Sequence, residues 1–323
     1  ATMVGKRKQQ TAKKPATVEY EFGGPPGAVG IMVGLPLVIL VLFFGCGKDY
    51  CVDSFASAAE LPQRVYAGIF LGAAGPIWSW EACAVVFGWT GVHFLAYLLL
   101  PGPVVEGVVL RNGKRLRYPM NAHLAFWLSL ASAHLLHLEW LYDHYLELCT
   151  ASMALSLALS IYSYALSFRS DEMLADGGQS GNFLYDFYIG RPLNPRIGAL
   201  DLKVACELRP GLIGWSMLNL GMAFKQHALH GSVSPPMVCV CAFQILYVWD
   251  ALYYEQVRAA SLPISPHISP DVLISPHLSH LFSSLPPSPL PDVVSHEYVC
   301  ACVCVACAAI PLIIPLDQFT AIP

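Results

Sequence analysis

Charge is what this sequence has least of. Only 12% of its 323 residues are Asp, Glu, Lys or Arg, against about 25% in an ordinary soluble domain. With 55% of residues hydrophobic, the shortage excludes a string of soluble domains and implies a polytopic membrane protein. No G-x-G-x-x-G follows a strand-like run, and no strand–helix alternation exists to hold one. That excludes a Rossmann-type dinucleotide site. No apolar leader with a small-residue cleavage site opens the chain, and eleven cysteines are too scattered for a disulfide framework. They are expected to be reduced, membrane-buried small hydrophobes. Cys300, Cys302, Cys304 and Cys307 include one C-x-x-C but sit in an unbroken apolar run without histidines at zinc spacing, so no metal site is expected there.

What is abundant is apolar sequence in runs of bilayer length. A span needs about 20 mostly apolar residues, and six runs qualify: 28–44, 82–100, 120–138, 145–168, 208–225 and 235–253. The expected fold is an all-α transmembrane bundle of about six spans. Residues 65–80 are apolar but end in Trp78, Ser79, Trp80 and Glu81, which reads as an interfacial segment. With a cytosolic N-terminus, the segments 1–27, 101–119, 169–207 and the region after 253 fall on one side. They hold 14 of the 18 lysines and arginines, as the positive-inside rule requires. Residues 1–18, with Lys6, Arg7, Lys8, Lys13 and Lys14, read as a disordered basic arm that signals topology; nucleic acid or anionic lipid is the alternative partner. The pairs Gly30/Gly34 and Gly68/Gly72 allow close helix approach, read as packing within the chain.

His134, His137, Glu139, Asp143, His144 and Glu147 cluster across the lumenal turn between the third and fourth spans. They carry no fixed ligand geometry and read as a solvated connection rather than a metal centre. The stretch Gly181–Trp215 is different: a polar island holding Asp186, Arg191, Asn194, Arg196, Asp201, Lys203, Glu207 and Arg209, cut into turns by glycines and prolines. A loop this charged between membrane helices either packs back on them or binds something. In the sixth span, Gln244, Tyr247 and Asp250 recur at i, i+3 and i+6, near one helix face, with Glu255 at the cytosolic end. An acid within a span is expensive, so it reads as a functional or paired group facing the bundle interior. Tyr247 beside Asp250 either serves proton transfer or makes a packing hydrogen bond.

The run G-x-x-L-Y-D-x-Y-x-G-x-x-L-N-P-R from Gly181 to Arg196, followed by D-L-K-x-x-C-E-L-R-P-G-L-I-G-W from Asp201, resembles the sterol reductase family. Within it the chain is most similar to the delta-14 sterol reductases and the membrane half of the lamin B receptor. The likeness continues in FQILYVWDAL (Phe243–Leu252), PVVEG (Pro103–Gly107) and EYEFGG (Glu19–Gly24), and covers roughly residues 19–256. It implies reduction of the delta-14 double bond of sterol intermediates in sterol and cholesterol biosynthesis, with NADPH as hydride donor. The location implied is the endoplasmic reticulum or inner nuclear membrane, with the N-terminus cytosolic. Outside a Rossmann fold, the cofactor phosphates need Arg and Lys; Arg191, Arg196, Lys203 and Arg209 fit in type and location. The alternative is that these cations pair with Asp186, Asp201 and Glu207 and hold the loop together. The resemblance makes Tyr247 the proton donor and Asp250 the stabiliser of the resulting cation. Tyr185, Asp186, Asn194, Asp201, Glu207 and Gln244 would shape the loop and substrate site. A second reading is a lamin B receptor-type anchor that reaches lamina or chromatin through an upstream region.

Composition changes at Val257. Residues 257–297 are mostly Ser, Pro, Leu, Ile and His with near-repeats such as ISPHISP, a low-complexity stretch without a packed core. VCACVCVACAAIPLIIPL follows. Alternating Val and Cys is what a GT dinucleotide repeat encodes, and Gln256-Val257-Arg258 is what an exon end followed by a donor site would spell. The expectation is translated intron in place of the family's further spans, a mis-spliced chain that does not itself reduce sterols.

Overall fold

The computed structural model describes residues 20–47, 50–51, 55–73, 75–169 and 172–255. The basic arm, the tail from Val257 and the cysteines at 300–307 lie outside the described residues. The helices are α1 (Gly24–Gly45), α2 (Phe55–Phe70), α3 (Trp80–Leu99), α4 (Ala122–Ser132), α5 (Glu139–Asp143), α6 (Tyr145–Leu166), α7 (Phe183–Ile189), α8 (Leu202–Cys206), α9 (Leu212–His230) and α10 (Pro235–Tyr253). The fold is all-α, as expected. Among the described residues, strands are confined to small antiparallel ribbons: β1 (Cys46–Gly47) with β2 (Tyr50–Cys51), β3 (Val104–Val109) with β4 (Arg115–Pro119), and β5 (Arg196–Ile197) with β6 (Leu200–Asp201).

Four of the six expected spans, α1, α3, α6 and α10, are helices long and apolar enough to cross a membrane. Their outward faces carry exposed Val33, Leu37, Leu95, Ile161, Phe243 and Leu246, the surface a bilayer would cover. The other two differ from expectation. The run 120–138 forms α4, only 11 residues long, or roughly 16 Å against a hydrocarbon core of about 30 Å. Its hydroxyls contribute to the early stop: Ser129 Oγ donates to Ala125 O at 2.8 Å and Ser132 Oγ to Ser129 O at 2.7 Å, back-bonding that bends helices. A 3-10 turn (Ala133–Leu135) and α5 follow.

The run 208–225 opens not as α-helix but as a π turn, Glu207–Gly211, with Pro210 inside it. Proline has no N–H for the regular ladder, so the chain widens there before α9 resumes. The 19 residues of α9 are long enough to cross. Asn219, Lys225, Gln226 and His227 make it too polar to rank with the other four.

The main core lies where α3, α4, α8–α9 and α10 meet, around Tyr97, Phe126, Ile213, Val248 and Leu252. A second cluster joins α1, α6, α9 and α10 through Ile39, Tyr145, Met222 and Met237. At Gly68 a Cβ would lie 2.1 Å from a ring carbon of Phe44; only glycine lets α1 and α2 pack this closely. After α2 the chain runs irregularly to Ser79, whose Oγ caps α3 by accepting from Ala82 N. Trp78 and Trp80 there are 42% and 81% exposed, while residues 65–70 of the expected interfacial segment belong to α2.

Candidate functional site

The polar island is built outward from α7. Asn182 caps it, accepting from Tyr185 N at 3.1 Å, and Asp186 accepts from Ser180 N and Ser180 Oγ at 2.8 and 2.6 Å. Tyr185 is fully buried; its Oη accepts from Glu21 N at 2.9 Å, and its ring meets Tyr20 edge-on at 4.9 Å. Tyr188 and Phe22 make a similar contact at 5.8 Å. The EYEFGG run and the L-Y-D-x-Y run are therefore two sides of one packing contact. Arg191 continues the island: its Nε donates to Gly178 O at 3.3 Å, and its guanidinium lies 4.9 Å from the Phe168 ring and 5.6 Å from Tyr164. Those are cation–π distances.

The next cation is paired. Arg196 Nε donates to Asp201 Oδ2 at 3.1 Å, and its guanidinium lies 5.0 Å from the Tyr118 ring. Asp201, fully buried, also caps α8 by accepting from Val204 N at 3.3 Å. Asn194 Nδ2 donates to Tyr118 Oη at 3.2 Å, which ties the L-N-P-R motif to strand β4. Burial pushes the Tyr118 phenol up to about 12, with the nearby Asp201 charge acting the same way. Lys203 is buried within α8, and Glu207 lies in the π turn.

Arg209 is at the centre of the deepest junction. It is completely buried, and its Nη2 alone donates to Glu255 Oε1 at 2.8 Å, Asn121 Oδ1 at 2.7 Å and Pro119 O at 3.3 Å. Glu255 Oε2 accepts from Ala122 N at 3.0 Å, at the start of α4. Asn121 Nδ2 donates to the carbonyls of Leu100, Tyr97 and Ala96 at 2.9, 3.1 and 3.3 Å, the open end of α3. One ion pair thus fastens α3, α4, the π turn and the end of α10. Sequence reasoning did not anticipate Asn121 in this role; it offered Arg209 either to the cofactor or to Asp186, Asp201 and Glu207, and the structure pairs it with Glu255. The available signal was an uncompensated acid just past one span, opposite an arginine at another span's start.

The expected catalytic pair occupies the flank of α10. The buried stripe of that helix is Met237, Cys241, Val248 and Leu252. Gln244 Oε1 accepts from Trp215 Nε1 at 3.0 Å. Tyr247 stands beside it, its ring 5.9 Å from Trp215, and is 50% exposed; Asp250 is half-buried. The three share one side of the helix, but that side borders the described bundle instead of entering it. At the other end, Lys225 pairs with Asp143 at 2.6 Å and His144 stacks on Trp140 at 4.0 Å, while His134 and His137 are exposed.

The fold is that of a polytopic helical membrane protein with a buried ion pair stitching its helix ends and a tyrosine and an acid on one flank of the last described helix. The profile of the ergosterol biosynthesis ERG4/ERG24 family matches residues 16–265, and the chain belongs to that family. It is 39% identical to the delta(14)-sterol reductase LBR of Gallus gallus, over 79% of this chain and 40% of that protein. It is 37% identical to the delta(14)-sterol reductase TM7SF2 of Mus musculus, over 79% of this chain and 60% of that protein. Against the delta(14)-sterol reductase ERG24 of Saccharomyces cerevisiae it is 33% identical, over 76% and 60% respectively. The chain therefore spans 40 to 60% of the length of these curated relatives.

Proposed function

We propose that residues 19–256 belong to an enzyme that carries out NADPH-dependent reduction of the delta-14 double bond of sterol intermediates, in the endoplasmic reticulum or inner nuclear membrane, and that the tail from Val257 contributes nothing to catalysis. What carries the reading is its kinship, across 79% of its length, with relatives named delta(14)-sterol reductase. Saturating an isolated double bond adds a proton to one carbon and a hydride to the other. NADPH supplies the hydride when bound. The Tyr247 phenol is the proposed proton donor, and the Asp250 carboxylate stabilises the positive charge left on the other carbon. Their position on a helix flank leaves both accessible to a substrate lying against α10.

The loop cations do not fit an open phosphate grip. Arg209 is wholly buried in its pair with Glu255, and Arg196 is bound to Asp201. Arg191 lies over aromatic rings and Lys203 is buried. These four are better accounted for as the frame of the island, and no contact to NADPH is assigned to them. A cytosolic N-terminus is supported by the distribution of lysine and arginine. The five basic residues of the arm support a second reading, an anchor in the nuclear membrane that reaches lamina or chromatin.

The test is complementation of a yeast strain lacking delta-14 reductase by the full-length protein that carries this sequence, beside its Tyr247→Phe variant. The expected result is NADPH-dependent conversion of a delta-14 sterol in microsomes, lost in Tyr247→Phe while protein level is kept. Full activity of Tyr247→Phe would assign the proton to another group. No conversion by the unmodified protein, together with lamina or chromatin binding, would favour the anchor.

A further inference from the structure

Arg209 uses only one of its three nitrogens. Nη2 makes every hydrogen bond described above, while Nε and Nη1 are buried without a hydrogen-bond partner. His93 on α3 is in the same condition: it is 2% exposed, and neither ring nitrogen has a partner. Trp89, His93 and Tyr97 recur at i, i+4 and i+8 along one face of α3, and that face meets the turn that carries Arg209. The Arg209 guanidinium is 4.6 Å from the ring of Tyr97, one turn along α3 from His93. The His93 ring contacts Trp89 at 4.3 Å, and Trp89 Nε1 donates to Pro210 O at 3.0 Å, inside the π turn. A Cβ on Gly214 would approach Trp89 Nε1 to 3.1 Å, so α9 packs closely on Trp89.

The geometry points to a binding site between His93 and Arg209 for a single hydroxylic oxygen, held by both side chains. The chemistry follows from the donors. Arginine only donates, and a neutral histidine offers one donor and one acceptor nitrogen. A group that both accepts and donates can take an N–H from Arg209 and bond one His93 nitrogen at the same time, and a hydroxyl or a water does this. An anion is disfavoured because Glu255 already balances Arg209, and a cation is repelled by the guanidinium. Leaving buried donors unmet costs more than an ordinary hydrogen bond gains, which is the drive to fill the site. The oxygen has two sources, a water or the hydroxyl of a sterol-like lipid. The inference does not rest on reductase activity.

The experiment measures thermal unfolding of the full chain in detergent. His93→Phe keeps a ring against Trp89 and removes both nitrogens. If the oxygen is bound, the midpoint falls by about 2–4 °C, and His93→Gln, which keeps donor and acceptor, restores most of the loss. If nothing is bound, His93→Phe removes unmet polar atoms and is as stable as the parent or more so; that overturns the proposal. Adding a 3β-hydroxysterol or its 3-deoxy counterpart separates the sources. A larger upward shift with the hydroxysterol that disappears in His93→Phe assigns the oxygen to the lipid; equal shifts assign it to water. Should His93→Phe fail to accumulate, the ¹⁵N signals of His93, assigned by their loss in His93→Gln, decide the matter. Hydrogen-bonded nitrogens support the site and bare nitrogens refute it.

Discussion

Asp201 and Tyr247 stand in two polar stretches that this chain treats differently. Asp201 is fully buried, with Arg196 on one oxygen and the Val204 amide on the other. Tyr247 is 50% exposed on the flank of a helix whose buried stripe lies to one side of it. Around Asp201, charges and amides close on each other: Asp186 on Ser180, Asn194 on Tyr118, Arg209 on Glu255 and Asn121. Along α10, a tyrosine and an acid are presented at the edge of the bundle. A buried, mutually satisfied network rigidifies a fold; a polar pair at the border of a hydrophobic helix is placed to meet something else. The richer concentration of charge in the sequence closes on itself, and the sparser one is the proposed place of the chemistry.

The sharpest way to break that contrast is to remove one partner of the deepest pair. Glu255→Ala leaves Arg209 charged and wholly buried and strips the acceptor from Ala122 N, so about 3–5 kcal/mol of stability should be lost. Unfolding in detergent measures it, and Glu255→Ala with Arg209→Met should recover much of the loss because no lone charge remains. A smaller effect is expected for Asp201→Ala, about 1–3 kcal/mol, from the loss of the α8 cap and an arginine partner. If either substitution left stability unchanged while lowering affinity for NADPH, the island would be a cofactor site rather than a frame.

The same contrast has a pH signature. Tyr118 has its phenol raised from 10.0 to about 12 by burial, so the folded chain keeps a proton that the unfolded chain releases. Stability from this group is full below pH 10 and falls as pH rises toward 12. Tyr118→Phe should flatten that part of the profile, at a cost of about 1 kcal/mol near neutrality for the lost Asn194 bond. An unchanged alkaline limb would show that the Tyr118 phenol is open to solvent.

Much of the architecture was legible in the sequence because length and hydropathy alone decide whether a helix can cross a bilayer. That is why α1, α3, α6 and α10 lie close to the expected runs, with α1 and α3 starting a few residues earlier. The expected spans at 120–138 and 208–225 fared worse, since hydropathy does not register serine back-bonding at Ser129 and Ser132 or the missing N–H of Pro210. For the site, sequence placed Asp201, Arg196 and Asn194 in one loop, and offered ion pairing as one of two uses for its cations. It could not choose, because Arg196 needs Asp201 five residues away while Arg209 needs Glu255 from another helix, 46 residues distant. His93 was invisible: a lone histidine in an apolar run carries no pattern until α3 is packed beside the π turn.

The smallest expected change in stability is the one that most sharpens the comparison. Tyr247 lies on the exposed flank of α10, so Tyr247→Phe removes a hydroxyl from a half-exposed ring and keeps the ring packing beside Trp215. Substitutions of that kind stay within about 0.5 kcal/mol. The midpoint of unfolding should therefore not move measurably, in contrast with Glu255→Ala and Asp201→Ala. If proton donation is its function, the same variant loses turnover, and stability and activity part company at this residue alone. A drop of 2 kcal/mol or more would mean that the hydroxyl is held in a buried hydrogen bond. Tyr247 would then join the frame, and Asp250 would be the remaining candidate for chemistry on that helix.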